Sequence, residues 1–383
     1  MAGNANLGAA KAVKNDEFYT QWNDIENEMQ AYLEYDPDVF RGKTVLLPCD
    51  DPAWSNFTKY FALNFEKFGL KKLISTSCAP RFNPDADKRG RIYVLERGED
   101  ASEDGRLNKK GLKWDCLEGD GNFRSDEVTA LRDEADMVIT NPPFSLFREF
   151  VEWLIEGDVE FAVIGNMNAV TYKEVFPLVK ENRLWLGATR DGGGAMWFRV
   201  PDNAPVKSTG QRTDPDGTRW QTIGSSAWFT NIEHGRRHEP LVLMTMEDNL
   251  IYGLKAVKEL GYPKYENYDA IEVPKVLGIP SNYEGAMGVP ITFLGKYNPE
   301  QFEILGASLF DATPIKEVAK PGDQFQQGGL AFYIREGESN LRRLYFRIII
   351  RHRNPEREES RLSSRSWGGR SSLRCKRELS HIL

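Results

Sequence analysis

The stretch that decides the fold is MVITNPPF, residues 137–144. Its first half is a short apolar run, which predicts a buried strand over residues 137–140. Its second half is Asn-Pro-Pro-Phe, where two prolines fix the backbone and remove N–H donors. In an open α/β sheet, ligands bind beyond the carboxyl ends of the strands. We therefore predict that this tetrapeptide lies at the binding edge of such a sheet.

Further strands and helices alternate along the chain on both sides of that run. Short apolar runs bounded by turn residues predict strands, and apolar residues at helical spacing predict helices. The predicted strands are residues 44–49, 73–78, 92–95, 112–116, 137–140 and 161–164, and the predicted helices are residues 24–35, 56–68, 125–134, with Ser125 as N-cap, and 146–155. This order predicts an α/β fold with a doubly wound, mostly parallel sheet.

After residue 170 the pattern changes. Glycines and prolines flank the segments 196–200, 219–223 and 227–230, which predicts antiparallel hairpins inserted late in the domain. We expect four regions: a disordered N-terminus, a catalytic core, a region with these hairpins and the end of the core, and a basic, disordered tail. Their bounds are residues 1–15, 16–190, 191–353 and 354–383.

The composition is that of a globular protein. Of 383 residues, 40% are hydrophobic and 28% are charged, which excludes a wholly disordered or fibrous chain. No apolar run approaches the roughly 20 residues that cross a bilayer, and the N-terminus lacks an apolar signal core. We therefore expect a soluble, cytoplasmic protein.

Charge and cysteine usage bear on the partners. The net charge of −7 has the wrong sign for binding phosphates, but arginines are concentrated from Arg335 onward, where a basic surface can still contact them. We predict no metal site and no disulfide framework, because the cysteines form no paired motif and no histidine stands at ligand spacing beside them. The four cysteines are Cys49, Cys78, Cys116 and Cys375.

The Asn-Pro-Pro-Phe tetrapeptide suits the activation of an exocyclic base amine. Such an amine is a poor nucleophile because its lone pair is delocalised into the ring. The Asn141 side-chain oxygen and the Pro142 carbonyl can accept both amine hydrogens, and Pro143 helps to keep that carbonyl aimed. Phe144 can stack on a base that has been flipped out of its helix. The same residues also fit a plain turn at a strand end, with Phe144 in the core.

Polar residues at three upstream positions can hold a cofactor. Asp120 lies in a Gly-Asp-Gly turn, where its carboxylate can accept from an adenine amine, and Asp50 and Asp51 end the first strand. Tyr19 and Thr20 precede the first helix, where Thr20 can contact a cofactor carboxylate. Each position also has a plainer explanation: a polar turn, a charge at a helix N-terminus and an N-cap region, respectively.

In their order along the chain, these segments resemble the EcoRI modification methylase family of adenine-specific DNA methyltransferases. The likeness spans about residues 15–353. The segments that carry it are residues 16–28, 49–52, 55–57, 59–61, 69–74, 141–144, 163–166, 228–231, 267–274 and 287–293. The resemblance implies a Rossmann-like class I methyltransferase whose DNA-recognition part lies within residues 191–353.

The resemblance also implies the cofactor, the substrate and the roles of the site residues. The cofactor would be S-adenosyl-L-methionine, and the substrate double-stranded DNA. Residues 141–144 would form the catalytic motif. The residues that would contact the cofactor are Tyr19, Thr20, Asp50, Asp51 and Asp120.

For the remaining partners, we expect a monomer that contacts no membrane. Arg236 and Arg237 are our candidates for contacts to DNA phosphates. A cognate restriction endonuclease would act on the same DNA without direct contact, and the residues leave open whether the enzyme has such a partner or acts alone.

Two departures from the usual methyltransferase pattern leave cofactor contacts unassigned. A Gly-rich turn normally follows the first strand, whereas residues 48–52 are Pro-Cys-Asp-Asp-Pro. The acidic residue that normally follows the second strand, and binds the ribose, is absent from residues 75–78. Two alternatives also stay open: a methyltransferase acting on an RNA base or a protein glutamine, and a non-enzymatic DNA-binding module, which would leave the ordered cofactor motifs unexplained.

Overall fold

The computed structural model describes residues 20–79, 88–98, 113–189, 196–200, 210–222 and 224–356. Tyr19, the N-terminus over residues 1–15 and the tail beyond residue 356 lie outside these described residues. The chain divides into two compact units. The first takes in the described residues up to Leu241 together with Ile291–Glu300 and Ser308–Phe310, and the second takes in Val242–Pro290, Gln301–Ala307 and the described residues from Asp311 onward.

Within its described residues, the first unit has eleven strands and six α-helices. The strands are β1 (Thr44–Leu47), β2 (Lys72–Ser77), β3 (Arg91–Glu96), β4 (Asp115–Cys116), β5 (Met137–Thr140), β6 (Glu160–Asn166), β7 (Trp185–Leu186), β8 (Trp197–Arg199), β9 (Gln211–Thr213), β10 (Arg219–Thr222) and β11 (Ser226–Thr230). The α-helices are α1 (Trp22–Tyr35), α2 (Asn56–Leu63), α3 (Phe65–Phe68), α4 (Asp126–Glu134), α5 (Phe147–Glu156) and α6 (Phe176–Lys180). Short 3-10 helices cover Phe144–Leu146, Met167–Thr171, Gly235–His238 and Ile291–Lys296.

Eight of the described strands form one large mixed sheet in the order β4-β3-β2-β1-β5-β6-β11-β7. Its central strands β2, β1, β5 and β6 run parallel, with Val45 opposite Met137 and Ile139 opposite Ala162. Antiparallel strands flank this group, because β3 pairs with β2 and β11 pairs with β6 in that sense. The predicted α/β architecture is confirmed at this level: a large sheet with parallel strands at its centre.

The strand predicted over residues 227–230 lies in the large sheet and not in an inserted hairpin. As β11, it pairs with β6 from Ser226, opposite Asn166, to Thr230, opposite Ala162. Every residue of β11 is buried, including Trp228 and Phe229. A strand with large apolar residues on both faces needs cover on both sides, and the interior of the large sheet provides it. The predicted antiparallel strand is confirmed, but its predicted place is wrong.

Side-chain caps and breaks set the helix bounds. Ser125 Oγ accepts a hydrogen bond from Val128 N at 3.3 Å, which confirms Ser125 as the N-cap of α4. The single helix predicted over residues 56–68 is broken at Asn64, whose side-chain amide donates to the Tyr60 carbonyl at 2.9 Å. The second piece, α3, ends at Gly69, whose φ of +67° suits glycine.

Aromatic packing fixes α2 against the large sheet. The ring of Phe57, on α2, meets that of Trp228, on β11, edge-on at 5.9 Å. Phe61, also on α2, meets Phe40 edge-on at 5.7 Å. Burial of each such ring stabilises the fold by about 1.5–3 kcal/mol. The position of α2 matters for the site, because α2 begins just after the carboxyl end of β1.

The second unit consists of two further sheets and short helices among its described residues. Its strands are β12 (Ile271–Glu272), β13 (Met287–Pro290), β14 (Phe302–Ala307), β15 (Gln324–Phe325), β16 (Tyr333–Glu336), β17 (Asn340–Arg343) and β18 (Arg347–His352). They form the sheets β12-β13-β18-β14 and β15-β17-β16. Its α-helices are α7 (Met246–Tyr252), α8 (Lys255–Leu260) and α10 (Ile315–Val318), and a 3-10 helix covers Val276–Gly278. Helix α9 (Ser308–Asp311) crosses the boundary, with Ser308–Phe310 in the first unit and Asp311 in the second.

Two arginines of the second unit, each partly buried, form ion pairs that link its strands and loops. Arg347, on β18, donates from Nε and Nη2 to the buried carboxylate of Glu272, on β12, at 2.8–3.1 Å. Arg335 is held between Glu266 and Asp323, with its closest contacts to both at 2.8 Å. In the described parts of the chain, no helix has the length and apolar character needed to cross a membrane.

Candidate active site

The carboxyl end of β1 presents a buried carboxyl group, that of Asp50. Its Oδ1 accepts a hydrogen bond from Ser55 Oγ at 2.8 Å, and its Oδ2 accepts one from Thr140 Oγ1 at 2.6 Å. Only 7% of Asp50 is exposed. Burial raises the pKa of the Asp50 carboxyl to about 7, although the hydrogen bonds from Thr140 and Ser55 act to lower it.

The backbone around Asp50 is fixed as well. Asp50 N donates to the Thr76 carbonyl at 3.0 Å, and the Asp50 carbonyl accepts from Ser75 Oγ at 2.6 Å. Ser55 also caps α2, because its Oγ accepts from Phe57 N at 3.1 Å. Asp50 is therefore connected at once to β2, to the start of α2 and, through Thr140, to the end of β5.

Asn141 follows β5 directly and is held by Thr20. Its side-chain Nδ2 donates to Thr20 Oγ1 at 3.1 Å, and Asn56 Nδ2 donates to the Thr20 carbonyl at 2.8 Å. Thr20 is only 5% exposed. The structure thus brings together two of the positions that the sequence analysis singled out, the segment before α1 and the Asn-Pro-Pro-Phe motif. The Asn141 Oδ1 atom is also buried.

The rest of the motif turns the chain from β5 into α5. Pro142 is buried, and Pro143 and Phe144 are half-buried. The Pro143 carbonyl accepts from Leu146 N at 2.9 Å, which closes the 3-10 turn that begins at Phe144. The Phe144 ring meets the Phe198 ring of β8 edge-on, with the centroids 6.2 Å apart.

Asp120 lies in a tight turn beside the end of β2. Its Oδ1 accepts from Asn122 N at 3.0 Å, its carbonyl accepts from Ala79 N at 2.8 Å, and its side chain is exposed. Gly121 has a φ of +73°, and a Cβ there would stand 2.2 Å from the Ser77 carbonyl oxygen. Only glycine lets this turn lie against β2, so the glycine positions the Asp120 carboxylate.

Asp51 is engaged by an arginine that the sequence analysis did not single out. Arg91 Nη1 donates to both Asp51 oxygens, at 3.1 and 2.8 Å, and the Arg91 guanidinium lies 4.4 Å from the centroid of the Trp114 ring. Asp51 Oδ1 also accepts from Ala53 N at 2.9 Å. The carboxylate is therefore charge-balanced within the protein.

Arg236 and Arg237 both make contacts within the first unit. Arg236 Nη1 donates to the Ala188 carbonyl at 2.6 Å. Arg237 is only 3% exposed and donates to Glu233 and to Asn182. Its guanidinium carbon lies 3.7 Å from the centroid of the Trp185 ring, and burial lowers its pKa. The Arg237 guanidinium is therefore turned into the protein and not toward a phosphate at the surface.

Asp50 and Asp51, which follow β1, and Asp120, beside the end of β2, lie at the carboxyl edge of the large sheet. The Asn-Pro-Pro-Phe motif lies at the same edge, after β5. Thr20 reaches this edge through Asn141. The residues to which the sequence analysis gave no role at the site are hydrogen-bond partners: Ser55, Asn56, Arg91 and Thr140. Ser55 and Asn56 fall in the segment 55–57 that carries the resemblance, and Ser55 also had a local signal, as a serine directly before a predicted helix.

Comparison with known proteins shows which family the chain belongs to. The family model described as "Adenine-specific methyltransferase EcoRI" matches residues 6–353. The chain is 45% identical over 317 residues to the Type II methyltransferase M.EcoRI of Escherichia coli, which covers 80% of this chain and 90% of that protein. It is 36% identical over 352 residues to the Type II methyltransferase M.MpnI of Mycoplasma pneumoniae, with 90% and 97% covered.

A third relative is the Type II methyltransferase M.MgeORF184P of Mycoplasma genitalium, 38% identical over 299 residues, with 77% of this chain and 84% of that protein covered. No solved structure matches the chain significantly.

A mixed α/β sheet with polar groups at its carboxyl edge, together with these matches, defines a methyltransferase. The chain belongs to the EcoRI family of adenine-specific methyltransferases. The resemblance drawn from the sequence is thereby confirmed, as is the expectation of a DNA methyltransferase enzyme. Because the family and the relatives are methyltransferases, these matches count against the alternative of a non-enzymatic DNA-binding module.

Proposed function

We propose that the protein transfers a methyl group from S-adenosylmethionine to the N6 amine of an adenine flipped out of duplex DNA. The observation that carries this proposal is the position of Asn141, which directly follows β5 at the carboxyl edge and whose amide is held by Thr20 at 3.1 Å. The family description, adenine-specific methyltransferase, names the base. In this reading the large sheet is that of a Rossmann-like class I methyltransferase.

Asn141 prepares the amine. Because its Nδ2 is directed to Thr20 Oγ1, the orientation of the amide is fixed, and we assign its Oδ1 as an acceptor for one N6 hydrogen. The Pro142 carbonyl is the second acceptor, held in place by the two prolines. Both contacts favour a pyramidal nitrogen with its lone pair directed at the methyl donor. S-adenosylmethionine, when bound, would supply an electrophilic sulfonium methyl group, and its transfer to the amine would leave S-adenosylhomocysteine and release one proton from the nitrogen.

Phe144 holds the flipped base in this proposal. Its ring is half-buried and supported edge-on by Phe198, and we assign it to stack on the base. Stacking of a base on an aromatic side chain contributes about 1–3 kcal/mol. This contribution offsets part of the free energy that is lost when the base leaves the duplex.

The chemistry of the residues at the carboxyl edge fits the cofactor, but their roles differ. The Asp120 carboxylate is exposed, and we assign it to the amino group of the cofactor's adenine. Thr20, with Tyr19 before it, stays our candidate for the carboxylate end of the cofactor, and Asp51 is a weaker candidate because Arg91 already balances its charge. Asp50 has both oxygens engaged by Ser55 and Thr140, so we propose that it positions the edge and does not itself bind the cofactor.

The remaining proposals concern partners and regions. Residues 16–190 form the core of the catalytic region, and DNA recognition lies within residues 191–353, apart from β11, which belongs to the large sheet. We expect a monomer that acts on double-stranded DNA in the cytoplasm. A cognate restriction endonuclease, where the system has one, acts on the same DNA without contacting this protein.

The test is methyl transfer from labelled S-adenosylmethionine to mixed-sequence duplex DNA, followed by mapping of N6-methyladenine. Parallel reactions with RNA and with protein examine the other substrate classes. Asn141→Ala should lower single-turnover methylation at least about a hundredfold, the scale for loss of one preorganised polar contact, with much less change in DNA affinity. The control Asn64→Ala alters only the break between α2 and α3 and should keep the rate. An Asn141→Ala protein that methylates adenine at nearly the wild-type rate would contradict the proposal.

A further inference from the structure

A second aromatic and cationic surface lies on the small antiparallel sheet β8-β10-β9. Successive residues of a strand face opposite sides of its sheet. Phe198 and Gln221 are directly paired, share one face and are both buried. Trp220 lies opposite Arg199 on β8 and opposite Arg212 on β9, so these three residues share the other face.

The buried face of this sheet is anchored on the proposed active site. Phe198 is fully buried, and its ring meets the ring of Phe144 edge-on at 6.2 Å. The other face is therefore separated from Phe144 by only the thickness of one small sheet. If a duplex delivers a base to Phe144, the backbone beside that base can pass the edge of this small sheet and meet its outer face, because a duplex is wider than a single sheet.

On the outer face, two indole rings hold a guanidinium. The Arg212 guanidinium carbon lies 4.7 Å from the centroid of the Trp197 ring and 5.2 Å from that of the Trp220 ring. Trp220 Nε1 donates to Asp214 Oδ2 at 2.7 Å, which fixes the indole. The Arg212 side chain is nevertheless 51% exposed. It therefore presents N–H donors to solvent from a fixed position.

Acidic residues nearby balance part of this charge. Asp214 forms an ion pair with Arg212, in which Asp214 Oδ1 stands 3.9 Å from Arg212 Nε, and its Oδ2 accepts from Trp220 Nε1. Asp216 Oδ1 accepts from Thr218 N at 2.9 Å within its own turn, and its carboxylate also interacts with the charge of Arg199. Arg199 is exposed on the same face as Arg212. Arg212 nevertheless stays half-exposed, and Arg199 adds a second exposed guanidinium to the same face, on the far side of Trp220.

We propose that this surface, formed by Trp197, Arg199, Arg212 and Trp220, binds the DNA backbone beside the flipped nucleotide. Arg199 and Arg212 contact phosphates, and the two indoles keep Arg212 in the orientation for that contact. A planar guanidinium matches a phosphate with two parallel hydrogen bonds, and prior fixation of the side chain lowers the entropy lost on binding. The proposal rests on the proposed function, since it takes DNA to be the substrate.

The experiment measures the affinity of the full chain for a duplex that the wild-type protein methylates, at several salt concentrations. The slope of log K against log salt is negative, and loss of one phosphate contact reduces its magnitude by about 0.9. This change corresponds to roughly eightfold weaker binding at about 0.1 M salt. We expect this change for Arg199→Gln and for Arg212→Gln, and about twice the change in slope for the double variant. The matched control is Arg183→Gln, because Arg183 is 52% exposed and also stands near an acidic residue, Glu181, at 3.7 Å.

Two further measurements separate binding from folding. The thermal midpoint and the affinity for S-adenosylmethionine should stay unchanged in the single variants. Arg212→Lys keeps the charge and should keep the slope of log K against log salt. If Arg212 serves only to stack between the indoles, the lysine and glutamine variants should instead be equally destabilised, and neither should change the slope.

The proposal for this surface would be overturned if the Arg199 and Arg212 variants had the same slope and affinity as a wild-type protein that methylates adenine. That outcome would leave the proposed function intact. A wild-type protein that methylates no DNA would overturn the proposed function, and the slopes would still report whether this face binds DNA.

Discussion

Thr140 donates its hydroxyl hydrogen to the Asp50 carboxyl group over 2.6 Å, across 90 positions of sequence. The bond joins the carboxyl ends of two neighbouring parallel strands, β1 and β5. Asn141 is the next residue after Thr140, so a disturbance of Asp50 reaches the proposed catalytic motif across a single peptide bond. Four predictions follow from this and from the other contacts at the carboxyl edge.

Asp50→Asn should change how stability depends on pH. The pKa of Asp50 is raised from 3.8 to about 7, so the folded protein holds this proton more tightly than the unfolded chain does. The stability that this group contributes is therefore present at low pH and is lost as the pH rises through about 7. Asparagine does not titrate, so the wild type should lose free energy of unfolding relative to the variant over that window. Urea unfolding of both proteins at about pH 5 and pH 8 measures the change, and a constant difference would contradict it.

Thr20→Val should slow methyl transfer with little effect on DNA affinity. Valine keeps the shape of threonine but removes the Oγ1 that accepts from Asn141 Nδ2. A neutral hydrogen bond contributes about 1 kcal/mol, so the single-turnover rate should fall at least roughly fivefold. Thr20→Ser restores the hydroxyl and should restore most of the rate. Equal rates for the serine and valine variants would show that the hydroxyl does not orient Asn141.

Phe144→Ala should lose about 1–3 kcal/mol of stacking, or roughly 5- to 150-fold in rate, whereas Phe144→Tyr keeps an aromatic face and much of the activity. The companion variant is Phe198→Leu, which removes the edge-on contact at 6.2 Å but no base-stacking ring. It should be much less harmful than Phe144→Ala in single-turnover methylation. If the two are equally impaired, Phe144 acts through packing and not through the base.

Gly121→Ala should destabilise the protein and weaken cofactor binding. Its φ is +73°, and the new Cβ would stand 2.2 Å from the Ser77 carbonyl oxygen, so the turn that carries Asp120 must shift. Gly98 offers a matched control, with a φ of +94° and nothing within 4 Å of a Cβ. Backbone strain alone costs about 1–3 kcal/mol at either site. Thermal unfolding and cofactor titration should show the larger loss for Gly121→Ala, and equal losses would count against the role of this close approach.

Local features were predicted well from the sequence because they depend on neighbours in the chain. The strand over residues 137–140 is found with those bounds, since an apolar run of that length suits a central strand. Ser125 caps α4 as expected. The break at Asn64 was not predicted, because the apolar spacing continues across it and only a side-chain bond to the Tyr60 carbonyl marks it.

Long-range partners were the part that the sequence could not supply. It indicated a strand near residues 227–230 but not that the strand would pair with β6, about sixty positions earlier. It placed Asp50 at the edge of the sheet but could not show that both carboxyl oxygens face other protein groups. Likewise, the sequence offered Arg236 and Arg237 as candidates for phosphate contacts but could not show that Arg237 is buried against Trp185. In each case, the direction of a side chain depends on residues distant in the chain.

The pairing of β7 with β11 has a consequence for how such an enzyme diversifies. Leu186 lies opposite Phe229, and Gly187 N donates to the Trp228 carbonyl at 2.9 Å. The chain between these points, which includes the small sheet, therefore leaves and rejoins the large sheet at positions about 4.8 Å apart. Insertions into a segment closed in this way are inexpensive, since doubling a loop costs only about 0.6 kcal/mol. Added residues in the loops of this segment therefore leave the order and the pairing of the core strands unaltered.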